Sequence, residues 1–221
     1  MLGKIFKDRT DAGAFLAKKL IEYQNRNDVV VLALPRGGVP VAYQVATALK
    51  APLDVFVVRK LGVPYFEEYA MGAIASGGIR VLNEEVISSL NIPVDLVDEI
   101  TAEELAELER RERLYRGTRP PLDISGQTVI IVDDGLATGS TMRAAVKALR
   151  KKGPEKIVVA VPVGARETCD SFEKEVDTVA VCAITPEPFK AVGLWYRDFS
   201  QTTDAEVQQL LRKARDIKAA A

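Results

Sequence analysis

The 221-residue chain contains no histidine. That absence excludes Ser-His-Asp and Cys-His catalytic arrangements, and histidine-ligated metal centres with them. Cysteine is nearly as scarce: Cys169 and Cys182 are the only two and lack CxxC spacing. They read as two reduced thiols of a cytosolic protein. No apolar run is long enough to span a bilayer. The opening stretch "MLGKIFKDRTDAGAFLAKKL" has no long apolar centre and carries Asp8 and Asp11, so it does not read as a signal peptide. The expected location is the cytoplasm. Neither charge sign is in excess, with 30 Lys+Arg against 31 Asp+Glu, so the electrostatic footprint of a nucleic-acid or membrane-surface binder is missing. Internal repeats and low-complexity segments are absent as well.

The remaining composition is that of a folded domain: 48% hydrophobic and 28% charged residues, over a length that suits one domain with a substantial core. The spacing of Phe15, Leu16, Leu20 and Tyr23 predicts a helix over 10–24, capped by Thr10 or Asp11. "VVVLALP" (29–35) reads as a buried strand, broken by Gly37 and Gly38, and Pro40 suits the first turn of a helix running to about Leu49. "LDVFVV" (53–58) is a second strand, "RKLGVPYFEEYAMG" a loop, and "GAIASGGIRVLN" a hairpin with SGG at its tip. Residues 101–116 read as a helix boxed by Thr101 and Glu104, with Glu107–Arg111, Glu109–Arg113 and Glu112–Arg116 at i, i+4 on a solvated face. "RPPLDISG" is linker-like. Strands "TVIIVDD", "KIVVAVPV" and "TVAVCAI" then alternate with helices near 140–152 and 166–173, and the last helix is boxed by Thr203 and Glu206. Short apolar strands alternating with amphipathic helices indicate an α/β fold, with a doubly wound, mainly parallel sheet and helices on both faces. Ligands of such sheets sit at the carboxyl ends of the strands. Both "PRGG" and "DDGLATGST" fall at such ends.

The second of these carries the chemistry. In "VIIVDDGLATGSTM" (129–142), Gly135 and Gly139 free the backbone, and Thr138, Ser140 and Thr141 add hydroxyls. The helix that follows points its free N–H groups back at the loop. Together they make an anion cradle the size of one phosphate. Asp133 and Asp134 would repel a bare phosphate, but they suit a ligand that also offers hydroxyls or a metal. A sugar phosphate meets both demands. A P-loop would need a lysine before Ser140 or Thr141, and none is there. A phosphorelay receiver would need an acceptor aspartate at the end of a later strand, whereas Asp177 precedes its strand.

This stretch resembles the signature with which type I phosphoribosyltransferases hold 5-phosphoribosyl 1-diphosphate (PRPP), in the form closest to the adenine-type enzymes. The resemblance covers about 29–200 and is strongest at 129–142. In overall pattern it is similar to the branch of predicted phosphoribosyltransferases, and it implies the family's fold with a small hood and a lid hairpin. It further implies a single domain over 1–221, with hood elements from the termini and a lid or insert at about 60–118. Asp133 and Asp134 would bind the ribose 2- and 3-hydroxyls and act on metal indirectly, through those hydroxyls or water. Gly135, Leu136, Ala137, Thr138, Gly139, Ser140 and Thr141 would wrap the 5-phosphate.

The same resemblance assigns Arg36, Gly37 and Gly38 to the diphosphate, joined by Arg59 and Lys60, with Arg36 and Lys60 also catalytic. "GVPYFEEYAMG" would be a lid between Gly62 and Gly72, in which Glu67 or Glu68 serves as general acid/base or is simply solvated. Ala137 stands where the hypoxanthine/guanine enzymes carry an aspartate for the purine ring, which argues against that specificity. In "FKAVGLWYRDFSQ", Trp195 or Tyr196 would stack on the acceptor base or belong to the hood, and Asp198 would sit near metal or diphosphate. Implied too are Mg²⁺, a nitrogen acceptor such as a nucleobase, release of pyrophosphate and a homodimer, without nucleic acid or membrane. A non-catalytic PRPP- or nucleotide-sensing regulator on the same fold is the alternative.

Overall fold

The computed structural model describes residues 5–63, 66–174 and 178–219. Helix α1 (Arg9–Lys19) starts one residue earlier than expected and ends five residues sooner. Its cap is Asp8, whose carboxylate accepts from the Asp11 N–H, rather than Thr10 or Asp11. The chain continues through β1 (Val29–Ala33), α2 (Gly38–Leu49), β2 (Leu53–Val55), β3 (Val58–Val63), β4 (Phe66–Ala75) and β5 (Ile79–Leu82). After these come α3 (Glu84–Ser89), α4 (Val94–Arg116), β6 (Thr128–Val132) and α5 (Ser140–Arg150). The last elements are β7 (Lys156–Val163), α6 (Arg166–Glu173), β8 (Thr178–Ile184) and α7 (Asp204–Ala219).

The central sheet has the order β2-β1-β6-β7-β8, and every pairing is parallel. Its inner strands are buried on both sides, which explains why they read as unbroken β-branched runs. Alternate residues feed two cores. Val29, Val31 and Ala33 pack with Leu16, Val41, Val45 and Leu211, while Val30 and Leu32 pack with Met142, Val146, Leu149 and Phe172. Helices α1, α2 and α7 therefore cover one face and α5 and α6 the other, as a doubly wound sheet requires.

Three local expectations are corrected. The described residues of the stretch read as a loop, 59–63 and 66–72, lie in antiparallel strands: β3 pairs with β4, and β4 with β5. The tip of the second hairpin is at Gly77 and Gly78, both at positive φ, as SGG suggested. This three-stranded sheet packs against α4 and α5. Next, α4 begins at Val94, so Thr101 is interior and caps nothing. Its hydroxyl donates instead to the Val97 carbonyl at 2.6 Å, the back-bond a helical threonine makes when the chain is already helical upstream. The three i, i+4 pairs downstream do form. Finally, Cys169 and Cys182 are not free thiols. They form a disulfide between α6 and β8, with Cα atoms 6.4 Å apart. A separation of 13 residues carries no signal for this. The packing of α6 on β8 brings the two together, within the distance a disulfide spans. Among the described residues no helix is long and apolar enough to cross a membrane.

Candidate active site

The site forms where β1, β6 and β7 end side by side. The chain leaves β1 through Leu34, whose N–H donates to the Val132 carbonyl at 2.9 Å, and turns into α2 through Pro35, Arg36 and Gly37. The Pro35–Arg36 peptide is cis. This turn lies directly on the acidic pair. A Cβ on Gly37 would fall 2.1 Å from Asp134 Oδ2, and one on Gly38 would fall 2.7 Å from the Val132 carbonyl oxygen. Two glycines are needed here because nothing larger lets the two loops touch.

On the other side, the Leu136 N–H donates to the Val163 carbonyl and the Ala165 N–H to the Leu136 carbonyl, which anchors the middle of the loop to the end of β7. Leu136 is buried, so it holds the loop down, while Ala137, Thr138, Ser140 and Thr141 are exposed. Gly139 caps α5 at φ +75°, and a side chain there would strike Thr168. Thr138 and Ser140 hydroxyls stand 3.2 Å apart at the mouth of the helix. Behind the loop, the Arg143 guanidinium stacks on Phe172 and donates to Ser171 Oγ. Its Nη1 is buried without a partner among the described residues, 3.0 Å from where a Gly139 Cβ would stand. Positive charge thus backs an already positive helix end.

Asp133 and Asp134 follow β6. Burial and the neighbouring charge of Asp134 push the Asp133 carboxyl well above the usual carboxylate range, against the bond it accepts from the Asp134 N–H. Asp134 is raised as well, by burial, with Arg9 pulling the other way. Arg9 carries no sequence signal and is the main residue missed. Its Nε donates to Asp134 Oδ2 at 2.8 Å, its Nη1 to the Ser200 carbonyl at 2.7 Å, and its guanidinium lies over the Phe199 ring. It thereby ties the acidic pair to the segment after β8.

The remaining expected residues divide. Arg36 reaches the same edge and faces Asp204 at 3.8 Å. Lys60 is exposed and lines a cavity of about 230 Å³ together with Ser140, Thr141 and Arg143. Arg59 is not beside it: its Nε bonds Glu104 of α4 at 2.5 Å. Successive strand residues point to opposite faces, which puts Arg59 on Glu104 and Lys60 on the cavity. The backbone of Glu67 and Glu68 lies in β4, and their side chains, like Pro64, Tyr65 and Asp177, lie outside the described residues.

Tyr196 is no stacking surface. It is buried against Phe6 and Phe199, and its hydroxyl donates to the Asp134 carbonyl at 2.5 Å, so it supports the acidic turn from below. Trp195 is half-buried beside it in the same cluster. Asp198 is exposed and accepts from the Ser200 N–H at 2.9 Å, a bond that holds its carboxyl below the usual range. Among the described residues no group of three or more His, Cys, Asp or Glu side chains gathers to hold a metal, so Asp198 does not join the acidic pair in one.

The site is thus an acidic pair, a glycine-lined turn and a hydroxyl-rich helix mouth gathered at one edge of a parallel α/β sheet. The model of the phosphoribosyl transferase domain matches residues 4–64 and 66–193, and the chain belongs to that family. The protein "Putative phosphoribosyl transferase Rv0571c" of Mycobacterium tuberculosis is 47% identical over 211 residues, covering 96% of this chain and 47% of its own length. The chain thus spans about half the length of the curated relatives it matches. The "Bifunctional protein PyrR" of Halalkalibacterium halodurans is 39% identical over 108 residues, 42% of this chain and 58% of that protein. Among solved structures, TT1426 of Thermus thermophilus superposes with a TM-score of 0.82 at 39% identity, covering 95% of this chain and 98% of the other.

Proposed function

We propose that this chain transfers a phosphoribosyl group from Mg-bound PRPP to a nitrogen acceptor, a nucleobase or related heterocycle, with release of pyrophosphate. The observation that supports the reading is the contact between the Gly37 turn and Asp134, which brings the glycine turn against the acidic pair that opens the hydroxyl-rich loop. In the reaction the acceptor nitrogen bonds to the anomeric carbon as the bond from that carbon to the diphosphate oxygen breaks. The diphosphate leaves with the electron pair, and the acceptor nitrogen gives up its proton.

Each group has a part in this scheme. The loop 135–141 fixes the 5-phosphate, and Asp133 and Asp134 fix the ribose hydroxyls. Arg36 and Lys60 neutralise the departing charge. Two carboxylates beside an arginine-bearing turn suit Mg²⁺, which needs few protein ligands when a substrate diphosphate and water complete its shell. When bound, the ion would supply charge stabilisation to the diphosphate. The half-buried Trp195 belongs to the segment that walls the acceptor side. A dimer is the assembly expected of the fold.

The test is calorimetry of Mg-PRPP on the protein and on Asp133→Asn/Asp134→Asn, followed by pyrophosphate release with a panel of purine, pyrimidine and related acceptors. Binding lost in the double variant and release dependent on one acceptor are expected. Normal PRPP binding by the folded double variant would end the assignment. Binding without release for any acceptor would favour a sensor.

A further inference from the structure

Every arginine of α4 is paired with a carboxylate. Arg110 and Arg111 bond Glu107, Arg113 bonds Glu109, and Arg116 bonds Asp54 and Glu112. The arginines just beyond it are not. Among the described residues, no carboxylate lies within ion-pair distance of Arg119, Arg212 or Arg215; Arg119 and Arg215 each spend one N–H on a backbone carbonyl, of Arg116 and Leu211. Arg212 and Arg215, three apart on α7, share a helix face. With Arg119 from the linker and the backbone of Gly117, they surround a cavity of about 250 Å³. A second cavity of about 280 Å³ adjoins it, shares Arg116, Arg119 and Arg215, holds Asp54 in its pair with Arg116, and is walled by Leu53, Pro120, Leu122 and Leu211.

Like charges gathered around a concavity repel. Burial, together with Arg119 and Arg212, lowers the hold of Arg215 on its proton, with Asp216 and Asp54 partly offsetting them. Guanidinium groups with free N–H forks match phosphate oxygens in geometry as well as charge. Three from two elements, over two adjoining cavities of which one has an apolar wall, exceed what a single small anion would use.

We propose that this groove binds a polyphosphate ester, with its phosphates on Arg119, Arg212 and Arg215 and its organic group along Leu53, Pro120, Leu122 and Leu211. The groove shares none of these residues with the phosphate loop or the acidic pair, so it stands whether or not the phosphoribosyl reading holds.

The experiment is calorimetry with metal-free ATP in EDTA on the Ser140→Asp variant, whose added carboxylate closes the phosphate loop at an exposed position. One ATP per chain is expected. Affinity should fall at least tenfold when Arg212→Ala and Arg215→Ala are added, and much of it should return with Arg212→Lys and Arg215→Lys at the same positions. Inorganic tripolyphosphate, though more charged, should bind more weakly than ATP. No ATP binding by the Ser140→Asp protein, or binding unchanged by the arginine-to-alanine pair, would overturn the proposal. Tripolyphosphate binding as tightly as ATP would remove the organic-group part of it.

Discussion

Replacing Asp54 by alanine tests how the hairpin arm and the long helix are tied to the sheet. The Asp54 carboxylate is 10% exposed and the Arg116 side chain 7%. Arg116 Nε lies 2.9 and 3.1 Å from the two Asp54 oxygens, and its other nitrogens reach Glu112 Oε1 at 2.9 Å and the Val55 carbonyl at 2.8 Å. Asp54 also accepts from the Val55 N–H at 2.8 Å. Burial works against the charge on Arg116 and is outweighed, chiefly by Asp54, so its proton is held more firmly than usual. Removing one member of a buried pair strands the other and costs about 3–5 kcal/mol. Glu112 remains, so the lower end applies: about 3 kcal/mol, or a melting midpoint lower by roughly 6–12 °C for a chain of this size. Urea unfolding and thermal melting read it directly. Asp54→Leu with Arg116→Met, which removes both charges, should recover most of the loss. A single-variant loss under about 1 kcal/mol would mean that the pair behaves as a surface bridge, and a double variant no better than the single would mean that packing, not charge, is at stake.

Two further outcomes follow from the site. Asp133 in the folded chain holds its proton above the ordinary carboxylate range, so its ionisation opposes folding. Stability falls as pH rises from the unfolded value, about 3.9, through the folded one, and stays reduced above it. Asp133→Asn should therefore melt higher than wild type at pH 7.5, with the gain vanishing near pH 4 and below; equal midpoints at pH 7.5 would contradict this. Arg9→Ala removes a charge-assisted bond to Asp134 and the anchor of Ser200. It should cost about 1.5–3 kcal/mol by urea unfolding and speed amide exchange across 196–200, whereas unchanged exchange there would show that Arg9 is not the tie.

Local order was open to sequence reading wherever one residue's neighbours in the chain decide it. The β-branched runs of β1, β6 and β7, the glycine tip between β4 and β5, and the Thr203 cap of α7 all depend on short-range sterics and bonds. So does the loop from Asp133 to Thr141, because a strand end, a left-handed glycine and a helix start are consecutive events. Sequence reading put Arg59 and Lys60 together in a loop, and their separate faces follow from strand alternation only once the stretch is known to be a strand. What hid that strand is its composition: Gly62, Pro64 and adjacent glutamates read as loop residues, and only pairing with β4 makes β3 extended.

Other features had no local cause at all. Arg9 meets Asp134 across 125 residues, Tyr196 reaches the Asp134 carbonyl across 62, and Cys169 meets Cys182 because α6 lies on β8. The sequence by itself determined most of the elements, the parallel α/β class and the glycine- and hydroxyl-rich loop between β6 and α5, since these rest on periodicity and on contiguous residues. The tertiary structure alone decided which cation neighbours which carboxylate, which aromatic is buried, and where unmatched arginines gather, because those pairings are set by how distant segments pack.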